Sequence, residues 1–289
     1  MPPELTLAGI TLIAATINGA LGYGFSSITV PLALFFFTNR VLNPALVLLE
    51  VALNANVLWV NREKLTAIRG RVMPFIIGLV PGVIVGTWLL KFVNPGWIKL
   101  STYITVLPLI LIQAAGFRHP IKAERPVNVA FGSGVGVLYS VTTISGPPLA
   151  IMLNNQGFVK QEFRAGLSLV RLAESSFTAV AYYFAGIYTL QSVRLIPFII
   201  PSILVGVPLG SFIIHRMQPE TFRRICMSFD AWIVGFGLSS VLRDLKVIPG
   251  ASAYLVMAAV IAIDIALLYR FFRNRRTARV AAAGAEIVA

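Results

Sequence analysis

The hydrophobic pattern of the chain consists of long apolar runs separated by short polar segments. A helix needs about 20 apolar residues to cross the hydrocarbon core of a bilayer. The runs that approach this length predict transmembrane helices at 44–60, 72–92, 97–116, 165–186, 194–214, 221–241 and 250–269.

Two further apolar segments, 5–38 and 127–154, are interrupted by small polar residues and proline. The first contains Gly22-Tyr-Gly-Phe-Ser-Ser-Ile-Thr-Val-Pro31, and the second contains Ser145-Gly-Pro-Pro148. A helix should break at both places, because proline lacks a backbone N–H and glycine turns freely. The arms of 127–154 are too short to cross the bilayer twice. We therefore expect hairpins, the second re-entrant and the first either re-entrant or a pair of short tilted helices.

The composition supports a membrane protein. Of 289 residues, 57% are hydrophobic and 12% are charged, whereas soluble domains carry about 25% charged residues. The net charge of +13 would suit nucleic acid, but the basic residues fall in short loops between apolar runs, which is the pattern of membrane orientation. Cys226 is the single cysteine, so neither a disulfide nor a cysteine-rich metal site is expected. The N-terminus lacks a basic region, so no cleavable signal peptide is expected.

The distribution of basic residues predicts the orientation. If both interrupted segments are hairpins, the loops that contain Arg62, Arg118, Lys160 and Arg216 lie on one side with the C-terminal tail. These segments hold most of the 24 lysine and arginine residues, and cytoplasmic loops carry such an excess. We therefore expect the C-terminus in the cytoplasm and the N-terminus outside the cytoplasmic (inner) membrane. If 127–154 crossed once, most of this asymmetry would be lost.

An internal repeat is visible in the order of matching residues. The pattern R-x-x-P-F-I-I occurs at 71–77 and at 194–200, and Gly86 and Pro95 match Gly210 and Pro219. Each copy has one hairpin and three spans, so the second copy enters the membrane inverted. The predicted fold is thus an all-α polytopic membrane protein with two inverted repeats and an additional C-terminal helix. Its units are a first repeat at 1–116, a cytoplasmic linker at 117–126, a second repeat at 127–241, a closing helix at 250–269 and a basic cytoplasmic tail at 270–289.

The interrupted segments resemble a known family. The run from Gly22 to Pro31 resembles the first repeat of the TauE/SafE family of sulfite exporters. The second repeat of that family is similar to Gly132-x-x-x-Gly136, followed by Ser145-Gly-Pro-Pro148 and Phe163-Arg-Ala165. The resemblance covers nearly the whole chain. It implies a transporter of small sulfur oxyanions and organosulfonates, such as sulfite, sulfoacetate or taurine-derived products.

Two charged residues lie deep inside a predicted span. Arg171 and Glu174 lie about 10 and 15 Å past Arg164 at 1.5 Å per residue, and charges at such depth face a cavity or a partner. Three residues apart, they share one face of the helix. In one interpretation Arg171 supplies positive charge to an oxyanion, while Glu174 carries a proton or orients Arg171. In the other, the two form a structural ion pair.

The first repeat carries polar residues at a comparable depth. Glu50 and Asn54 stand one helical turn apart, and Asn54 is the approximate counterpart of Glu174. Asn54 can donate to an oxyanion, and Glu50 is a candidate protonation site; the alternative is hydrogen bonding between helices. Asp230 and Asp264 also lie within predicted spans, where they either pair with an arginine or serve proton movement.

The breaks supply the remaining candidate ligands. Hydroxyl groups and the N–H groups at helix starts donate several hydrogen bonds to an oxyanion; the alternative is that they satisfy the backbone freed at each break. The predicted substrate-binding residues are Gly22, Gly24, Ser26, Ser27, Asn54, Thr143, Ser145, Gly146 and Arg171, with Glu50 and Glu174 in a coupling or structural role.

These features predict a secondary transporter that holds a small sulfur oxyanion or organosulfonate at paired helix breaks near the midplane. Protons or the membrane potential would drive it, since no nucleotide-binding motif is present. The alternatives are an anion channel of the same fold and an intramembrane enzyme. The second is disfavoured, because the chain lacks H-E-x-x-H and C-x-x-C motifs and both histidines, His119 and His215, lie in or beside loops. We predict no enzyme activity, no cofactor and no metal; the partners are the anion, protons and lipid.

Overall fold

The computed structural model describes residues 2–21, 24–60, 62–115, 125–155, 160–214, 216 and 219–288. Within these residues the fold is all-α and has no β-strand, which confirms the predicted all-α class. The helices are α1 (Pro3–Leu21), α2 (Phe25–Ala33), α3 (Asn39–Val60), α4 (Leu65–Phe92), α5 (Pro95–Ala114), α6 (Arg125–Thr142), α7 (Gly146–Asn155), α8 (Lys160–Ala185), α9 (Leu190–Ile214), α10 (Pro219–Asp244) and α11 (Leu255–Val288). Gly22, His119, His215 and most of the predicted linker 117–126 lie outside the described residues.

Six segments of the described chain are long and apolar enough to cross a membrane. They are Asn39–Val60, Ile68–Phe92, Pro95–Ile112, Leu190–Ile213, Arg224–Asp244 and Gly250–Arg273. Helix α8 has 26 residues, about 39 Å at 1.5 Å per residue, which is also long enough. A stripe of polar residues lowers the mean hydropathy of α8, and for this reason α8 is not among the six apolar segments.

Both interrupted segments contain a break between a long helix and a short helix, and we keep the term hairpin for each of these helix pairs. Helix α1 has 19 residues and α2 has 9, while α6 has 18 and α7 has 10. At 1.5 Å per residue, the long arms measure about 27 Å or more and the short arms about 15 Å or less. A short arm therefore reaches only about half-way through a hydrocarbon core of about 30 Å. A break at the inner end of such a short arm therefore lies near the middle of the hydrocarbon core.

Glycines allow two pairs of helices to pack with their backbones in contact. On α4, Gly78 and Gly82 lie against the backbone of Val129 and Ser133 on α6, and a Cβ at either glycine would overlap a carbonyl of α6. Gly19 on α1 faces Val207 of α9 in the same way. Small residues at four-residue spacing permit such close approach between membrane helices.

The packing of the two hairpins is reciprocal. The long arm of the first hairpin, α1, packs along α9, and the long arm of the second, α6, packs along α4. In the predicted repeats, α4 and α9 are the equivalent second spans. Each hairpin therefore leans on the other predicted repeat rather than on its own, and α3 packs against α8 between them.

A buried ion pair attaches the last helix. Arg224 on α10 donates to Asp264 on α11 at 2.8 Å, and the indole N–H of Trp232 donates to the second oxygen of Asp264 at 3.1 Å. Asp264 thus has a structural partner, which is one of the two roles expected for it. Helix α11 continues through the basic residues of the predicted tail to Val288.

Candidate functional site

Side chains from four helices and one break meet in a buried polar cluster between the two hairpins. The central polar cluster consists of Ser26, Glu50, Tyr139, Ser145, Arg171 and Glu174. None of these residues is more than 5% exposed. Buried charges are costly unless they are paired and hydrogen-bonded, so the contacts within the cluster decide what it can bind.

Glu50 of α3 accepts hydrogen bonds from three different elements. The hydroxyl of Ser26 and the Arg171 guanidinium, at 3.0 Å, both donate to its Oε1 atom, and the hydroxyl of Tyr139 donates to its Oε2 atom at 2.5 Å. These donors come from α2, α8 and α6, respectively. Glu50 therefore ties the first break to helices of the second predicted repeat.

Glu174 is the corresponding carboxylate beside the second break. Its Oε1 atom accepts a hydrogen bond from the hydroxyl of Ser145, the residue that precedes α7. Within the described part of the chain, its Oε2 atom has no hydrogen-bond partner. A break serine therefore donates to a membrane-embedded glutamate on both sides of the cluster, Ser26 to Glu50 and Ser145 to Glu174.

Arg171 lies between the two carboxylates. Its Nη2 atom is 3.0 Å from Oε1 of Glu50, and its Nε atom is 4.0 Å from Oε1 of Glu174. The Nε–H has no hydrogen-bond partner among the described residues. One guanidinium thus lies close to two carboxylates, and its Nε–H group remains free to donate a hydrogen bond to a ligand.

Side chains from neighbouring helices stabilise the backbone of the second break. Thr143 has a φ of 57°, which is uncommon for a β-branched residue and persists only when the surroundings support it. Asn43 of α3 donates to the carbonyl of Val141 at 2.7 Å, and Tyr182 of α8 donates to the carbonyl of Ser140. These bonds satisfy carbonyls that the interrupted helix α6 leaves without an intrahelical donor.

Several predicted site residues bond to backbone instead of to the cluster. The Ser27 hydroxyl donates to the carbonyl of Gly24 at 3.1 Å, and the Thr143 hydroxyl donates to the carbonyl of Thr142 at 2.7 Å. Asn54 is buried one turn from Glu50, and its amide nitrogen has no partner among the described residues. Gly24 has a φ of 106° and precedes α2.

The N-terminus of α7 presents fewer backbone donors than we expected. Helix α7 begins at Gly146, and Pro147 and Pro148 have no N–H group. The N–H of Leu149 already donates to the carbonyl of Ser145 at 3.1 Å. In this turn, Gly146 therefore supplies the one N–H that remains for a ligand, and side chains provide most of the polar groups near the break.

The structure changes two details that we drew from the sequence. In its contacts, Glu50 rather than Asn54 resembles Glu174, because each glutamate accepts a hydrogen bond from a break serine. The same sequence offset that aligns Gly86 with Gly210 also aligns Glu50 with Glu174, so the sequence already contained this correspondence. Tyr139 was not a predicted site residue, since a tyrosine before a helix break gives no sign of its distant partner.

Comparison with known proteins identifies the family. The family model described as sulfite exporter TauE/SafE matches residues 7–236. The chain is also 26% identical over 190 residues to a Cupriavidus necator protein named probable sulfite/organosulfonate exporter TauE, and the match covers 62% of this chain and 68% of that protein. No solved structure matches the chain. The chain therefore belongs to the sulfite exporter TauE/SafE family, as its motifs suggested, and is a membrane transporter rather than an enzyme.

Proposed function

We propose that this TauE/SafE family member is a secondary transporter that moves a small sulfur oxyanion or an organosulfonate across the cytoplasmic membrane by alternating access. One observation carries this proposal: the buried guanidinium of Arg171 lies between two carboxylates and beside the serines of two helix breaks. The name of the Cupriavidus necator relative supports a sulfite or organosulfonate substrate.

The chemistry of the cluster suits an oxyanion. A guanidinium presents several N–H groups in a planar fork and binds sulfonate-like or carboxylate oxygens through charge-assisted hydrogen bonds. The hydroxyls of Ser26 and Ser145 each donate to a carboxylate oxygen that lies within 4.0 Å of the Arg171 guanidinium. An anion that takes the place of Glu50 at Arg171 would find these hydroxyls beside it as further donors.

The arrangement of helices supports alternating access between two equivalent halves. Each hairpin packs on a span of the other predicted repeat, so the two repeats are interlocked through α1 with α9 and α6 with α4. The contact between Arg171 and Glu50 joins α8 to α3, which are the first spans of the two repeats. A movement of one repeat against the other would therefore open or close this contact, as inverted-repeat transporters do around a central site.

The burial of the cluster corresponds to a closed conformation. All six residues are at most 5% exposed, so an anion cannot reach Arg171 unless the helices move. A small cavity between α4, α6, α7 and α8 is lined by Arg71, Asn128, Leu149 and Val170. We propose that this cavity belongs to the inward path; the excess of basic residues in the loop before α4 supports a cytoplasmic position for this end of the helix.

The proposed driving force is a proton gradient or the membrane potential. Moving one charge through 100 mV is worth about 2.3 kcal/mol, which sustains roughly a 50-fold gradient. An interior-negative potential favours export of the anion where the anion, together with any proton that moves with it, carries a net negative charge.

Purified protein in proteoliposomes tests the proposal. We expect saturable uptake of radiolabelled sulfite or isethionate and accelerated exchange when unlabelled anion is present on the opposite side. Arg171→Gln should abolish both anion binding and transport, because it removes the charge between the carboxylates. Arg243→Gln is the matched control, since the Arg243 side chain is 47% exposed and lies outside the cluster; it should transport normally.

Three results would contradict the proposal. Normal binding and transport by folded Arg171→Gln would show that Arg171 has a structural role only. Flux that rises linearly with anion concentration and shows no exchange would indicate a channel. Wild-type protein that neither binds nor transports any of the sulfur anions would exclude the proposed substrate class.

A further inference from the structure

We infer that binding of an anion at the central polar cluster takes up one proton, and that Glu50 is the group that receives it. This inference rests on the proposed function and deepens it, because it specifies how the site is coupled. It follows from the balance of charges: the cluster contains two carboxylates, Glu50 and Glu174, and one guanidinium, Arg171.

The contacts of Glu50 are those of an ionised carboxylate. It accepts hydrogen bonds from Ser26, Tyr139 and Arg171, and the last is charged. Hydrogen bonds to a carboxylate favour its charged form, as does a neighbouring cation. Glu50 and Arg171 therefore neutralise each other in the closed conformation.

The contacts of Glu174 are those of a protonated carboxyl group. Only its Oε1 atom is hydrogen-bonded, to Ser145, and its Oε2 atom has no partner within the described residues. The side chain is 0% exposed, and a buried charge without sufficient partners is much more costly than a neutral group. With a proton on Glu174, the closed and empty cluster carries no net charge.

An arriving anion competes with Glu50 for Arg171. If the anion binds the guanidinium and Glu50 stays ionised, the buried cluster carries an uncompensated negative charge, which is strongly unfavourable. Addition of one proton to the Glu50 carboxylate removes this charge and leaves Arg171 paired with the anion. The serine and tyrosine hydroxyls that donate to ionised Glu50 can rotate and accept from its protonated form. The proton on the Glu50 carboxyl group can therefore donate a hydrogen bond to one of these hydroxyl oxygens.

The other charged or titratable groups around Glu50 do not offer an equivalent site. Those that face it are Tyr139 from α6, with Arg171 and Glu174 from α8; α2 contributes the hydroxyl of Ser26. Arg171 remains protonated at all relevant pH values. Glu174 already holds a proton in the neutral cluster, and Tyr139 is a donor to Glu50.

The test is the pH dependence of isethionate binding to detergent-purified full-length protein. Isethionate is a sulfonate whose own charge is constant between about pH 5 and 9, so any pH dependence belongs to the protein. Uptake of one proton on binding makes the dissociation constant rise about tenfold per pH unit over the pH range in which the free cluster lacks this proton and the anion-bound cluster holds it. We expect this slope for wild-type protein.

Two glutamine variants assign the proton. Glu50→Gln mimics protonated Glu50, so it should bind isethionate with a dissociation constant that does not change with pH. Glu174→Gln is the matched control, because it replaces the other carboxyl group by its neutral analogue; it should keep the tenfold slope. Release or uptake of protons in a weakly buffered solution with an indicator dye measures the same quantity on wild-type protein, and it remains decisive if a variant does not fold.

The outcomes separate this inference from the proposed function. Wild-type binding that is independent of pH, without proton uptake, would overturn the inference and leave the anion site intact. A tenfold slope that persists in Glu50→Gln and disappears in Glu174→Gln would overturn the assignment to Glu50. Absence of any anion binding by folded wild-type protein would overturn the proposed function, and this inference with it.

Discussion

At the scale of single residues, the central polar cluster contains two carboxyl groups and one guanidinium. Arg171 contacts Glu50 directly and approaches Glu174 at 4.0 Å. A site with an unopposed cation would trap an anion tightly, which is unsuitable for a carrier. In the proposed site, competition between Glu50 and the anion for the same guanidinium would allow the anion to bind and to leave again.

The two break serines should contribute equally to anion affinity. Ser26→Ala and Ser145→Ala each remove one hydroxyl next to Arg171, and a hydrogen bond to a charged group contributes about 1.5–3 kcal/mol. We expect each variant to bind sulfite roughly 10-fold or more weakly in isothermal calorimetry. Ser27→Ala is the matched control, because its hydroxyl donates to the carbonyl of Gly24; it should bind normally. Unequal effects of Ser26→Ala and Ser145→Ala would contradict the equivalence of the two breaks.

The sequence predicted most single residues of this cluster but not their pairing. Arg171 and Glu174 were found because charges are rare inside apolar helices, and Ser26 and Ser145 because they adjoin glycine and proline. The contact of Arg171 with Glu50 joins residues that are distant in the chain, and a helical pattern within one segment contains no information on such pairs. The position of Gly22 lies outside the described residues.

At the scale of helices, the long arms of the hairpins are held by contacts between backbones. Gly132 on α6 lies against the carbonyl of Phe75 on α4, and Gly19 on α1 lies against the carbonyl of Val207 on α9. Helix pairs in lipid associate through such close packing, since the lipid is as apolar as the side chains. These two contacts fix the positions of the breaks relative to the spans.

Adding a methyl group at these contacts should therefore destabilise the protein. We expect Gly132→Ala and Gly19→Ala each to lower stability by about 1–3 kcal/mol or more, because the new Cβ overlaps backbone that cannot move aside. Gly134→Ala on α6 and Gly9→Ala on α1 are matched controls on the same helices, since a Cβ there meets nothing within 4 Å. The controls should be neutral or more stable by about 0.5–1 kcal/mol. Thermal unfolding in detergent measures all four, and equal melting temperatures would contradict the assigned contacts.

The helices themselves were accessible from the sequence because length and hydropathy determine what can cross a bilayer. The unequal arms of the hairpins were harder to foresee. The break in α6 and α7 occurs at Thr143, which adopts a φ of 57° before the prolines are reached, and the hydrogen bonds that hold it come from α3 and α8. The local sequence pattern predicts a break near Gly146 and the prolines, but it does not predict the hydrogen bonds from α3 and α8 that stabilise the break.

At the scale of the whole molecule, two interlocked halves would allow the proposed site to be reached from two sides. The reciprocal packing of α1 on α9 and of α6 on α4 is what two equivalent units produce when each inserts its hairpin into the other. Inverted repeats have opposite orientations in the membrane, so each break would face the opposite leaflet. The inverted repeat remains a prediction, and it requires a definite orientation of the loops.

Cysteine labelling tests that orientation. The single native cysteine, Cys226, is buried, so Cys226→Ala provides a background without reactive thiols. Ser252 lies in the exposed turn between α10 and α11, and Thr66 is exposed at the start of α4; the excess of basic residues predicts that the first is outside and the second is cytoplasmic. A membrane-impermeant maleimide added to intact spheroplasts should label Ser252→Cys, whereas Thr66→Cys should react only after lysis. Labelling of Thr66→Cys alone in intact spheroplasts would reverse the orientation. Labelling of both would place the two loops on the same side, which an odd number of crossings between them does not permit, and the hairpin interpretation of 127–154 would fail.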